Sequence, residues 1–170
     1  MFIRQKIIYN QPYAYLVRTR WDKRSKKVKQ KVSRYLGKIH NPDRIRNTAF
    51  SDYHDVDISS YLESADLKRI VADLVELEFH RHGFVKKSKY VMTNGILDVE
   101  LDRLKKVFAM NEGFMNKHTV RDIFTYDKLL EEGTTRVPFK FAALFVNAGI
   151  DIDKELFIGL YEKLFSATLE

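Results

Sequence analysis

"YLVRTRWDKRSKKVKQKVSRYLGK", residues 15–38, carries ten Lys or Arg and one acid, Asp22, with apolar and aromatic residues alternating among the cations. Alternation of this kind is the period of a β-strand with two unlike faces. Lys23-Arg24-Ser25-Lys26 in its middle holds no apolar residue and reads as a four-residue turn. If that turn joins Asp22 to Lys27, one face pairs Trp21 with Val28, Thr19 with Gln30, Val17 with Val32, Tyr15 with Arg34 and Tyr13 with Leu36. This face is predicted to be mostly core, with Tyr13, Tyr15, Val17, Val28 and Val32 fixing the hairpin to it. The opposite face pairs Arg20 with Lys29, Arg18 with Lys31, Leu16 with Ser33 and Ala14 with Tyr35, and is predicted to be basic.

Outward from the hairpin, the β-branched run from Phe2 to Ile8 predicts a preceding strand, separated by Asn10-Gln11-Pro12. The expected unit is a three-stranded antiparallel meander whose first strand adds Arg4 and Lys6 to the basic face. Like charges directly opposite on a sheet cost up to about 1 kcal/mol per pair, and an anionic partner relieves that repulsion. Duplex DNA, with one negative charge per roughly 1.7 Å of axis, is the expected partner, and its major groove admits a β-ribbon. Arg18, Arg20, Lys29 and Lys31 are expected to reach bases or phosphates, and Lys23, Arg24, Lys26 and Lys27 to hold the backbone at the turn. Tyr35 is the one aromatic expected on the binding face. RNA is the alternative partner; a sheet for single strands displays several aromatics on its binding face, whereas Trp21, Tyr13 and Tyr15 fall on the face assigned to the core.

"MFIRQKII" followed by "YAYLVRTRWDKRSKKVKQKVSRYLGKI" resembles the N-terminal segment of DDE-type insertion-sequence transposases, in which a short strand leads into a tyrosine-rich strand, a basic turn and a leucine-glycine pair, here Leu36-Gly37. The resemblance spans about residues 1–40. It implies a DNA-contacting appendage with residues 13–36 as its hairpin, and a protein related to a mobile element. It implies no active site, because the ribonuclease-H-type catalytic domain of those enzymes does not fit the remaining helix-patterned residues.

The 170 residues are 45% hydrophobic and 31% charged, the balance of a chain that buries a core. Net charge divides sharply: residues 1–46 sum to +12 and residues 47–170 to −5, which separates a polyanion-binding arm from an acidic body. Cysteine is absent, which removes disulfides and thiolate metal sites. No stretch has the length of a membrane helix and the start lacks a signal peptide's apolar core, so a cytoplasmic location is expected. Gln occurs only at positions 5, 11 and 30 beside many Lys and Glu, a composition typical of thermophile proteins.

Three segments are therefore expected: a basic sheet module over 1–46, a linker over 47–59, and an acidic, mainly helical domain over 60–170 containing a short β-hairpin. The overall class is α+β. Ser60 and Glu63 have capping-box spacing ahead of a helix whose inner face is Leu67, Ile70, Val71, Leu74, Val75 and Phe79, with Gly83 as its stop. Asn94-Gly95 marks a hairpin. Asn116 or Thr119 caps another helix, and Pro138 and Gly149 bound the next, before a last helix from Asp151 or Asp153. The aromatics of these two helices, Phe139, Phe141, Phe145, Phe157, Tyr161 and Phe165, read as core or as a homodimer contact.

No enzyme is expected, because no phosphate loop, dinucleotide fingerprint or nucleophile elbow is present, and no cofactor is implied. A metal-dependent nuclease is the remaining alternative: Asp98, Glu100 and Asp102 share one face if they lie on a strand. His80 and His82 diverge by about 200° on a helix and read as charges complementing a helix end.

Overall fold

The computed structural model describes residues 2–131 and 136–165. Three antiparallel strands open the chain: β1 (Phe2–Ile8), β2 (Gln11–Asp22) and β3 (Lys27–His40). Tyr9 and Asn10, both at positive φ, make the β1–β2 turn, a backbone form that matches strand twist in two-residue hairpins. Gln11 and Pro12 already belong to β2.

Three helices follow: α1 (Phe50–His54), α2 (Ile58–Ser64) and α3 (Leu67–Arg81). The expected linker over 47–59 thus contains a helix, because Phe50 is fully buried against Tyr61 and His54. The expected helix start at Ser60 is also corrected. Asp57 caps α2 by accepting from the Ser60 amide, and Asp66 caps α3 by accepting from the Arg69 amide at 2.8 Å. Each side chain satisfies one of the amides a helix start leaves open, and the chain breaks between them at Ala65. Gly83, at φ +83°, ends the α3 turn as expected.

β4 (Val85–Ser88), β5 (Val91–Thr93) and β6 (Asp98–Glu100) form a small antiparallel sheet, with Asn94-Gly95 in the β5–β6 turn. β7 (Val107–Met110) and β8 (Gly113–Met115) then pair as a tight hairpin. These two strands join the N-terminal meander, giving one five-stranded sheet of order β1-β2-β3-β7-β8. The join is the parallel pairing of Ile39 with Val107 and His40 with Phe108. Gly37 suggests an end to the third strand; β3 instead runs on to His40 and enters the body.

The remaining helices are α4 (Lys117–Ile123), α5 (Asp127–Glu131), α6 (Val137–Ala148) and α7 (Lys154–Phe165). Asn116 and Thr119 close a reciprocal capping box on α4. Pro138 lies in the first turn of α6 and Gly149, left-handed at φ +71°, terminates it. Phe141, Phe145 and Phe165 are buried and meet edge to face, with Phe141–Phe145 centroids 5.3 Å and Phe141–Phe165 centroids 5.2 Å apart. They form core between α6 and α7, whereas Phe139 is 79% exposed. A second aromatic layer, Phe79, Phe84 and Phe108, seats α3 on β7. Burying one such ring is worth roughly 1.5–3 kcal/mol, and His40 at the end of β3 meets Phe108 of this layer with ring centroids 5.5 Å apart.

A buried polar latch fixes the crossing from β3 to α1. Arg81, at the end of α3, donates to the Thr48 carbonyl (2.9 Å), the Asp151 carbonyl (2.6 Å), Glu78 (3.3 Å) and Asp153 (3.3 Å). Glu78, fully buried, also accepts from Asn111 at 2.8 Å and from the Asp151 amide. Asp153 in turn accepts from the Phe50 amide at 2.8 Å. His82 lies in the same latch with Nδ1 2.9 Å from the Glu78 carbonyl, and the His80 ring packs tilted against Tyr53 with centroids 4.6 Å apart. Both histidines are therefore packing residues at a helix end.

Candidate nucleic-acid interface

The strand register sets what each face of the hairpin displays. From the turn to mid-hairpin the ladder is the one the sequence predicts: Asp22 opposite Lys27, Trp21 opposite Val28, Arg20 opposite Lys29, Arg18 opposite Lys31 and Val17 opposite Val32. Two bulges then intervene. Leu16 pairs with Arg34, leaving Ser33 over, and Ala14 pairs with Gly37, leaving Leu36 over. Each extra residue reverses the side to which the following residues point.

The bulges correct three expectations. Arg34, assigned to the apolar face beside Tyr15, instead pairs with Leu16 and continues the basic face. Tyr35, assigned to the basic face, pairs with Tyr15 on the other side, its ring centroid 5.4 Å from Tyr15 and 6.1 Å from Tyr13. Arg4 and Lys6 pair with Tyr15 and Tyr13, so they too lie on the aromatic side. Arg4 crosses β2 to donate to Gln30 at 3.3 Å. Val17, between these two positions on β2, is 1% exposed.

Every residue from Arg18 to Arg34 is exposed except Asp22. The distal hairpin is thus a bare ribbon of five residue pairs, about 17 Å long at 3.4 Å per residue, wet on both faces. Trp21, Val28 and Val32, expected to be core, are each more than half exposed. Only the proximal part is anchored: Ala14, Ile39 and Val107 are buried together, with Ile3, Leu36 and Phe114 packed around them.

One ribbon face carries Arg18, Arg20, Lys29 and Lys31, and Lys23, Arg24, Lys26 and Lys27 surround its tip. Asp22 stands among them. It accepts from the Arg24 amide and the Ser25 hydroxyl and ion-pairs with Lys29. The Lys29 ammonium, with those two donors, holds the Asp22 carboxyl below its usual range.

Toward the body the basic face continues into a cleft lined by Arg34, Leu36, Lys105, Lys117 and His118. Burial, then Arg121, Arg34 and Lys117, hold the His118 imidazole below its usual value. His40 is lowered likewise by burial, Lys106 and Lys38. Cations from three separate segments therefore converge beside the ribbon. Lys105, Lys117, His118 and Arg121 carry no signal in the sequence because only the fold gathers them.

Asp98 and Glu100 flank buried Val99 on β6, but Asp102 lies beyond the strand in the next turn. Arg103 ion-pairs with Glu100 (3.4 Å) and Asp102 (3.8 Å). Among the described residues, no group of three His, Cys, Asp or Glu side chains is arranged to hold a metal ion, and no helix is long and apolar enough to cross a membrane. No protein-family model matches the chain, and no curated protein or solved structure matches it.

Proposed function

We propose that this protein binds duplex DNA with the β2–β3 ribbon, laying the Arg18, Arg20, Lys29 and Lys31 face into the major groove. The observation that carries the reading is that these cations sit on one face of a projecting, uncovered ribbon whose sole acid is Asp22. A two-stranded ribbon fits a groove about 12 Å wide and 8.5 Å deep. Lys23, Arg24, Lys26 and Lys27 reach phosphates at the tip, and Arg34 with the α4 cations meets the backbone nearer the body. Origin from a mobile element, as the transposase-like N-terminus implies, agrees with a DNA-contacting role.

Binding of a random-sequence duplex measured against salt tests this. Every phosphate that a variant no longer neutralises should flatten the log–log slope by about 0.9, so Arg18→Ala/Lys31→Ala lowers it by nearly 2 units. Arg4→Ala/Lys6→Ala, on the other face, leaves it nearly unchanged. An unaltered slope in the first variant overturns the proposal.

A further inference from the structure

On the ribbon's second face Thr19, Trp21, Val28, Gln30 and Val32 are exposed as well, and its chemistry differs. Tyr13, Tyr15 and Tyr35 form a ring cluster at its base, with Tyr35 55% exposed. Trp21, 57% exposed, stands at its tip beside Val28, and Phe2 is exposed along β1. From Val28 to Tyr35 the surface runs about 23 Å at 3.3 Å per residue. Arg4 and Lys6 on β1, and Lys38 opposite Tyr13, border it, and no carboxylate of the first three strands points to this side.

We propose that this face is a stacking platform for single-stranded DNA. Bases stack on aromatic rings regardless of sequence, while bordering cations track the phosphates. A partner must therefore offer flat π faces and negative charge together. A second copy of this surface offers no carboxylate to meet Arg4, Lys6 or Lys38, whereas a single strand supplies a phosphate for each. The choice of DNA over RNA rests on the duplex reading of the opposite face. A ribbon with duplex on one side and an unpaired strand on the other suits a junction or a frayed DNA end.

Trp21 is the single tryptophan, so its fluorescence reports on the platform directly. Titrating the full-length protein with a dT12 oligonucleotide should quench it. Polarisation of labelled dT12 should show affinity falling about tenfold in Tyr35→Leu and again in Trp21→Leu, the cost of losing one stacked base. Trp21 lies at the exposed ribbon tip, so its replacement leaves the fold standing. Arg18→Ala/Lys31→Ala should lose far more duplex than dT12 affinity, which keeps failure of the duplex reading separate from failure here. Absence of quenching overturns the platform, as does wild-type affinity in both aromatic variants. Binding of rU12 tenfold tighter than dT12 overturns the assignment to DNA.

Discussion

Lys29 closes an ion pair with Asp22 across the mouth of the β2–β3 turn, placing the one carboxylate of residues 2–42 among the cations proposed to meet phosphate. Replacing Asp22 with Asn frees Lys29 and removes a repulsive charge. Duplex affinity should rise, and the salt slope should steepen by up to about 0.9. The turn loses a charge-assisted acceptor in exchange, so hairpin amides should exchange faster with solvent. Affinity that falls in this variant would remove the basic face from the interface.

The histidines give the pH response a definite sign. His40, His80 and His118 are all lowered, burial being the first cause in each. A group held neutral by the fold contributes stability above its unfolded value near 6.5 and loses it as pH falls through the folded value. Melting temperature should therefore drop between pH 7 and pH 5. Duplex phosphate near Arg34 offsets the cations around His118, so an imidazole titration followed by NMR should move to higher pH on DNA binding. At the alkaline end burial and Glu76 push the Tyr53 phenol up to about 12, so stability present below pH 10 is lost as pH rises through that value.

Arg81 donates a charge-assisted hydrogen bond to the fully buried Glu78. Arg81→Met strands that carboxylate and should cost about 3–5 kcal/mol in urea unfolding. The double variant Glu78→Gln/Arg81→Met should cost less than the sum of the singles, because the stranded charge is gone. An additive result would mean that the two side chains do not act together.

Gly113 opens β8 against the end of α6, where a Cβ would lie 2.0 Å from the Val146 carbonyl and 2.4 Å from the Gly149 amide. Backbone cannot yield as a side-chain tip does. Gly113→Ala should destabilise by about 3 kcal/mol, read as a lowered midpoint in chemical denaturation. Gly95, at a turn with nothing within 4 Å, loses only its φ freedom on the same change and should cost about 1 kcal/mol.

The turn and the distal ladder were legible in the sequence because period two and a polar tetrad fix them locally. So were the stop at Gly149 and the Asn116 cap, each set by one side chain's chemistry. The bulge at Ser33 was not, since no Gly or Pro marks it. Gly37 did signal irregularity, at φ +124°, but it marks a bulged continuation rather than an end. Val107–Met110 and Gly113–Met115 were too short to stand out, and Asn111-Glu112 lacks the usual hairpin pair. The exposure of Trp21 was hidden for a different reason: alternation tells which residues share a side, and only tertiary structure tells whether anything lies against it.

β3 is one strand, bulged twice, from the wet tip at Lys27 to His40 beside the Phe108 layer. The same strand therefore links the exposed tip to the aromatic seat of α3 with no loop between them. On the proposed reading, a duplex held at the tip would bear on the interior through this strand and not through a loop.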